Sequence, residues 1–355
     1  MKDNSKKFLF KLLKTPSPTG YEENIQKEVK KYISDSADKI SKDVHGNLIA
    51  CINPKAKLKV MLAGHCDQIG FQVRSVNKAG YVYFNALGGI DTAVMLGTKI
   101  TILSKKGPVT GVIGRKPIHL QSGAEREKAK VSMKTAWLDI GAKDQKEALK
   151  HISIGDPAVY QPVVTELLNG NITAPGLDDR AGLYVAIEVL KECAKIKKKL
   201  KVGVYSVSTV QEEVGLRGAQ TASYQIEPDI GIAIDLTFGT DDPSNPDQNA
   251  TPIKLGNGGT IQLGPFSNPV LSKKIRDAAK KYKIPCQIET TKGRGGTDAI
   301  AMQVSKKGVA ATTMSIPSRY MHTQAEVVNL KDLDSLVKLI VKFISDLKET
   351  TKFIP

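Results

Sequence analysis

Four near-continuous runs of apolar, largely β-branched residues punctuate the chain, at positions 57–64, 201–210, 229–235 and 308–316. Each closes on glycine, proline or a polar residue, the pattern of strands covered on both faces. Segments of helical period follow them, at 180–195, 269 to about 283, and 331–347. Strands alternating with helices of this length predict βαβ units. The expected class is α/β, with a mostly parallel mixed sheet and helices on both faces. The opening MKDNSKKFLFKLLK reads as an amphipathic first helix, because Lys11 interrupts its apolar segment and no small-residue cleavage site follows.

One stretch breaks this rhythm. From Phe71 to about Val164 the chain is dense in short alternating strands and turn punctuation, such as Gly88-Gly89 and Gly107-Pro108, with one helical piece near 145–150. The expected organisation is an α/β domain made of residues 1–70 and 165–355, with a small β-rich domain inserted over 71–164. The segment 238–250 (FGTDDPSNPDQNA) reads as an irregular surface loop.

Composition narrows the function classes. At 355 residues, 41% hydrophobic and 25% charged, the sequence is that of a globular protein of about two domains. No run approaches the roughly 18 apolar residues of a membrane span. The net charge of +16 admits nucleic acid, anionic surfaces and acidic peptides, and leans towards substrates with an acidic first residue. Aromatics are only 5% and no basic stretch is interleaved with stacking residues, so a basic nucleic-acid-binding protein is a weak alternative and no nucleic-acid partner is expected. The run KIKKKLK (195–201) reads as a solvated helix end. Cys51, Cys66, Cys193 and Cys286 fall at unrelated spacings, which indicates neither a disulfide framework nor a thiolate zinc site and fits a reducing cytoplasm.

The chemistry stands just beyond the strand runs. His65 and Asp67 follow the first, Glu212 and Glu213 the second, Asp235 closes the third, and His322 lies shortly after the fourth. In open α/β sheets ligands gather outside the carboxyl ends of the strands, so these side chains can meet. Asp178, in the GLDDRAG segment at a helix start, joins them. Each has an ordinary reading alone: a satisfied histidine, a solvated acidic turn, helix-start acids, a strand-end cap. Two imidazoles and several carboxylates at one edge together form a metal-site inventory. Without thiolates it suits zinc, cobalt or manganese, and a bridging carboxylate would allow two ions about 3.5–4 Å apart. Because neighbours in extended chain face opposite ways, one of Glu212 and Glu213 is expected at the metal and the other at a water. Asp67 is expected to accept the ring N–H of His65.

The segments AGHCDQIGF (63–71), GLDDRAG (176–182), QEEVGLRGA (211–219), AIDLT (233–237), GGTDA (295–299) and the His322-Thr323 stretch through Glu326 run in one order across the chain. In this set the chain resembles the dinuclear-metal glutamyl and tetrahedral aminopeptidases, some of whose members carry an endoglucanase label. The resemblance implies two divalent ions per subunit, zinc or cobalt. His65, Asp178 and Asp235 would hold one, and Asp178, Glu213 and His322 the other, with Asp178 bridging. Glu212 would be the general base and Asp67 the partner of His65. It also implies peptide substrates and a homo-oligomer such as a dodecamer, with residues 71–164 governing assembly and access. Gln68 stands where an acidic residue is usual, Thr323 where serine is common, and His119 matches a recurring small-domain segment but reads as structural. A metal-independent glycoside hydrolase is the alternative enzyme class.

Overall fold

The computed structural model describes residues 1–124, 132–243, 251–290 and 296–355. Residues 244–250 of the expected surface loop, and Gly295 of the GGTDA segment, lie outside the described residues.

Helices α1 (Asp3–Leu13) and α2 (Glu23–Ile33) open the chain, followed by β1 (Lys39–Lys42), β2 (Leu48–Ile52) and β3 (Lys59–His65). Next come β4 (Gly70–Val76), β5 (Val82–Leu87), β6 (Lys99–Ser104), β7 (Gly107–Gly114), β8 (Trp137–Asp139), α3 (Gln145–His151) and β9 (Pro157–Tyr160). The remainder runs β10 (Thr165–Glu166), β11 (Asn171–Ala174), α4 (Leu177–Lys195), β12 (Gly203–Thr209), α5 (Arg217–Ile226) and β13 (Ile230–Phe238). It ends with β14 (Thr260–Leu263), α6 (Pro269–Tyr282), β15 (Gln287–Thr290), α7 (Asp298–Gln303), β16 (Ala310–Arg319), β17 (Glu326–Asn329) and α8 (Leu330–Asp346).

Eleven strands form one mixed sheet with the main path β1-β2-β12-β3-β13-β16-β17-β11-β10, while β14 joins β16 and β15 joins β14. The four apolar runs are its centre, β12-β3-β13-β16, and they pair in parallel. The path outside that centre is antiparallel. Side-chain alternation sends successive residues of each central strand to opposite faces. Thus Val60 and Leu62 of β3 pack into the large core with α1, α2, α4, α6 and α8. Met61 and Ala63 meet Ala222 of α5 and Met302 of α7 on the other face. Burial on both sides is why these strands read as unbroken apolar runs.

Strands β4-β5-β8-β7-β6-β9 close into a small barrel with its own core. Phe71 meets Phe84 and Tyr160 edge-on at 5.2 and 5.3 Å. Closure leaves this β-rich unit without free edges. The lysines of the 195–201 run form an exposed turn before β12, where Lys197 pairs with Asp38 at 2.6 Å. No helix among the described residues is long and apolar enough to cross a membrane.

One close approach places the site. A Cβ on Gly64 of β3 would lie 2.5 Å from the amide nitrogen of Leu183, so only glycine lets α4 lie against the end of this strand. Gly182 is equally constrained, its Cβ position being 2.2 Å from Asp179 Oδ1 and 2.4 Å from the Ile234 carbonyl. The acids at the start of α4 thereby sit beside His65.

Candidate metal centre

The carboxyl ends of the central strands deliver the side chains. β3 ends on His65, β13 carries Asp235, the loop after β12 carries Glu212 and Glu213, and the loop after β16 carries His322. With Asp178 they line one cavity of about 860 Å³.

Asp178 Oδ1 lies 3.3 Å from His65 Nε2, and its Oδ2 lies 3.4 Å from His322 Nε2. Glu213 Oε1 is 3.6 Å from His322 Nε2, and Glu212 Oε2 is 3.8 Å from His65 Nε2. The adjacent glutamates therefore address different imidazoles, although they stand in a loop beyond the end of β12 rather than in extended strand. Ligand atoms of His65, Asp178 and Glu213 lie within 4.8 Å of one another, as do those of His65, Asp179 and Asp235.

These separations are long for hydrogen bonds but match ligands around a cation. Two ligands at about 2.1 Å from a tetrahedral ion stand about 3.4 Å apart. Electrostatics agrees. Burial, with repulsion from neighbouring carboxylates, pushes Glu212 up to about 10, Glu213 to about 7 and Asp235 to about 8. Asp178 stays below the usual carboxylate range, because the imidazoles of His322 and His65 outweigh its burial. His322 is raised to about 9, chiefly by Asp178. Glu213 Oε1 is buried with no hydrogen-bond partner. A crowd of desolvated carboxylates with an orphaned oxygen is costly alone and is relieved by positive charge. Imidazole and carboxylate donors without thiolate fit a divalent cation of the zinc, cobalt or manganese type.

The support beneath is shared between the main chain and side chain of Asp67. The ring Nδ1 of His65 is 3.1 Å from the Asp67 main-chain carbonyl and 3.5 Å from its carboxylate, so the carbonyl is the nearer acceptor. The carboxylate, with no exposed surface, also accepts the amides of Glu212 and Glu213 at 3.1 and 3.2 Å. The His-x-Asp spacing points to the ring contact, whereas the loop folded over the carboxylate leaves no mark in the sequence.

Two further buried acids hold main-chain amides at the site. Asp179 accepts the amides of His65 and Gly182 at 3.0 and 2.9 Å. Glu326 accepts those of Asp178 and His322 at 3.0 and 2.9 Å, and thus holds the main chain of His322 at its φ of +62°. Their presence in the GLDDRAG and His322–Glu326 segments was the available signal. Gln68 is buried and accepts a hydrogen bond from the fully buried Arg180, which also reaches Ser17 Oγ at 2.9 Å. The neutral amide therefore stands against a guanidinium where an acid would make an ion pair. Thr323 donates to the Tyr320 carbonyl at 2.6 Å. His119 lies in an exposed turn of the barrel and does not line the cavity.

Comparisons with known proteins show one family. The model of the M42 glutamyl aminopeptidases matches residues 46–339. A lysyl aminopeptidase of Pyrococcus furiosus is 36% identical, over 95% of this chain and 96% of its own. The TET aminopeptidase from a marine-sediment Thaumarchaeota archaeon superposes with a TM-score of 0.93 at 30% identity, covering 98% of both chains. The TET1 peptidase of Pyrococcus horikoshii, described as able to assemble into a tetrahedron or a large octahedral shell, gives 0.85 at 32% identity over 97% of this chain and 100% of that one. With the family's motifs gathered around one cavity of the matching fold, the chain belongs to the M42 glutamyl aminopeptidases, a family of peptide hydrolases.

Proposed function

We propose that the protein is a metal-dependent aminopeptidase that releases the first residue of a peptide with the help of two divalent ions per subunit, zinc or cobalt. The observation that carries this reading is the Asp178 carboxylate lying between two imidazoles, one facing each oxygen. His65, Asp178 and Asp235 would hold one ion, and Asp178, Glu213 and His322 the other. Asp179 falls in the same group as His65 and Asp235, but its oxygens already accept two amides, which makes it a holder of the main chain. Three ligand carboxylates offset most of the charge of about +4 that two ions bring.

Such ions, when bound, polarise a peptide carbonyl and acidify a water. Glu212 takes a proton from the attacking water as its oxygen bonds to the carbonyl carbon. It returns that proton to the departing amine as the C–N bond breaks. Because burial, with repulsion from Asp235, Asp298 and Glu213, drives the Glu212 carboxyl up to about 10, it needs adjacent positive charge to act as a base near neutrality.

Likeness to the assembling TET1 peptidase supports a homo-oligomer, a dodecamer in this reading, in which residues 71–164 form the inserted domain that shapes assembly and peptide access. Unpaired cysteines support a cytoplasmic setting. Replacing Glu212 by glutamine tests the mechanism: two ions should remain bound while turnover falls about 10²–10⁴-fold. Retained activity at full metal occupancy rejects the role.

A further inference from the structure

The cavity continues past the imidazoles along β13. Asp235 and Thr237 lie two residues apart on that strand, so their side chains share a face about 7 Å apart. Thr237 Oγ1 donates to Glu289 Oε1 at 2.7 Å, and Thr260 Oγ1 donates to Glu289 Oε2 at 2.8 Å. Glu289 comes from β15, in register with Gln262 of β14, and both line the cavity. Among the described residues the two hydroxyls are the hydrogen-bond partners of the carboxylate, and they leave about half of its roughly four lone-pair positions.

Among the described residues, this wall carries charge of one sign. Outside the imidazole and carboxylate cluster, Glu289 is the only charged side chain among the described residues lining the cavity, beside Phe238, Ile253 and Thr290. No lysine or arginine is among those lining residues, although the chain holds 52. Glu289 makes no ion pair among the described residues.

We propose that this end of the cavity receives the first side chain of the substrate and that Glu289 selects a cationic one, lysine or arginine. The inference rests on the aminopeptidase reading above. A lysine stem spans about 6 Å from Cα to its ammonium, close to the distance from Asp235 to the threonine that holds Glu289. Its methylenes would lie along Phe238 and Ile253 while its head meets the carboxylate. An acidic first residue would meet like charge. The overall charge of +16 leans the other way, but surface charges are screened over about 8–10 Å whereas Glu289 acts at contact.

The test is a set of lysyl, arginyl, leucyl and glutamyl anilides assayed with metal-loaded wild type, Glu289→Gln and Glu289→Lys. For wild type, kcat/KM should be highest for lysyl or arginyl substrate. The lysyl-to-leucyl ratio should fall 10- to 100-fold in Glu289→Gln, and glutamyl should overtake lysyl substrate in Glu289→Lys. On wild type alone, lysinamide should compete at no more than a tenth of the norleucinamide concentration, which tests the pocket even if a variant fails to fold. A wild-type preference for leucyl or glutamyl substrate, a ratio unchanged in both variants, or equal competition by the two amides overturns the inference with the aminopeptidase reading intact. No turnover of any anilide by the loaded enzyme overturns that reading, and the inference with it.

Discussion

The carboxylate of Asp67 receives the main-chain amide of Glu212 at 3.1 Å. Its other oxygen takes the next amide, so one buried side chain fixes the loop that presents both glutamates to the two imidazoles. Asp67→Asn keeps the shape but turns one acceptor into a donor facing an amide. Activity or metal affinity is expected to fall about 10- to 100-fold. Kinetics alongside metal titration checks this, and an unchanged enzyme would remove Asp67 from the machinery.

Glu326 offers a parallel case from the far side of the site, since its two oxygens hold the amides of Asp178 and His322. Glu326→Ala strands both amides and is expected to weaken metal binding about 10- to 100-fold, with a stability loss of about 1–3 kcal/mol per stranded group. Competition with a metal-responsive chelator, compared with denaturant unfolding, separates the two effects.

The centre of the sheet and the meeting of His65, Asp178, Glu212, Glu213, Asp235 and His322 in one cavity were legible in the sequence, because double burial makes β12, β3, β13 and β16 continuous apolar runs. Polar residues where such runs stop then stand out. Asp179 and Glu326 were not legible as supports, since their partners are main-chain amides that carry no mark of residue type. Helix α2 is short and mostly polar, with only Ile25, Gln26, Val29 and Ile33 buried, so its stripe is too narrow to stand out in the sequence. The antiparallel flanks of the sheet are made of strands of two to five residues, too brief to show a period.

Close packing of β3 on α4 makes a stability expectation. Gly64→Ala places a methyl 2.5 Å from the Leu183 amide, against backbone that cannot swing aside. A loss of about 1–3 kcal/mol is expected, read as a lower denaturation midpoint at unchanged slope. Wild-type stability in this variant would show that α4 is free to shift.

Glu22 gives a pH dependence away from the ligands. Burial, then the charge of Asp67, raises its carboxyl from 4.5 to about 7, while it accepts the amides of Gly20 and Gln211. A carboxyl raised on folding binds more protons in the native state, so its cost is absent below pH 4.5, grows as pH rises, and is complete above about 7. Glu22→Gln mimics the protonated acid. It should match wild type near pH 4.5 and exceed it above pH 7 by up to about 3 kcal/mol. Urea unfolding of both proteins in chelator at the two pH values provides the comparison, and a gap that does not widen with pH would contradict the shift.

Chelation should lower the unfolding temperature as well as abolish hydrolysis, because ions that bind only the folded state stabilise it by mass action. Zinc or cobalt should restore both. A glycosidase working through carboxylates alone would be indifferent to either treatment.

Anomalous scattering from crystals grown with zinc measures the two-ion arrangement most directly. Two peaks about 3.5–4 Å apart are expected, one beside His65 and Asp235, the other beside Glu213 and His322, with Asp178 reaching both. A single peak, or none at Asp178, would contradict it.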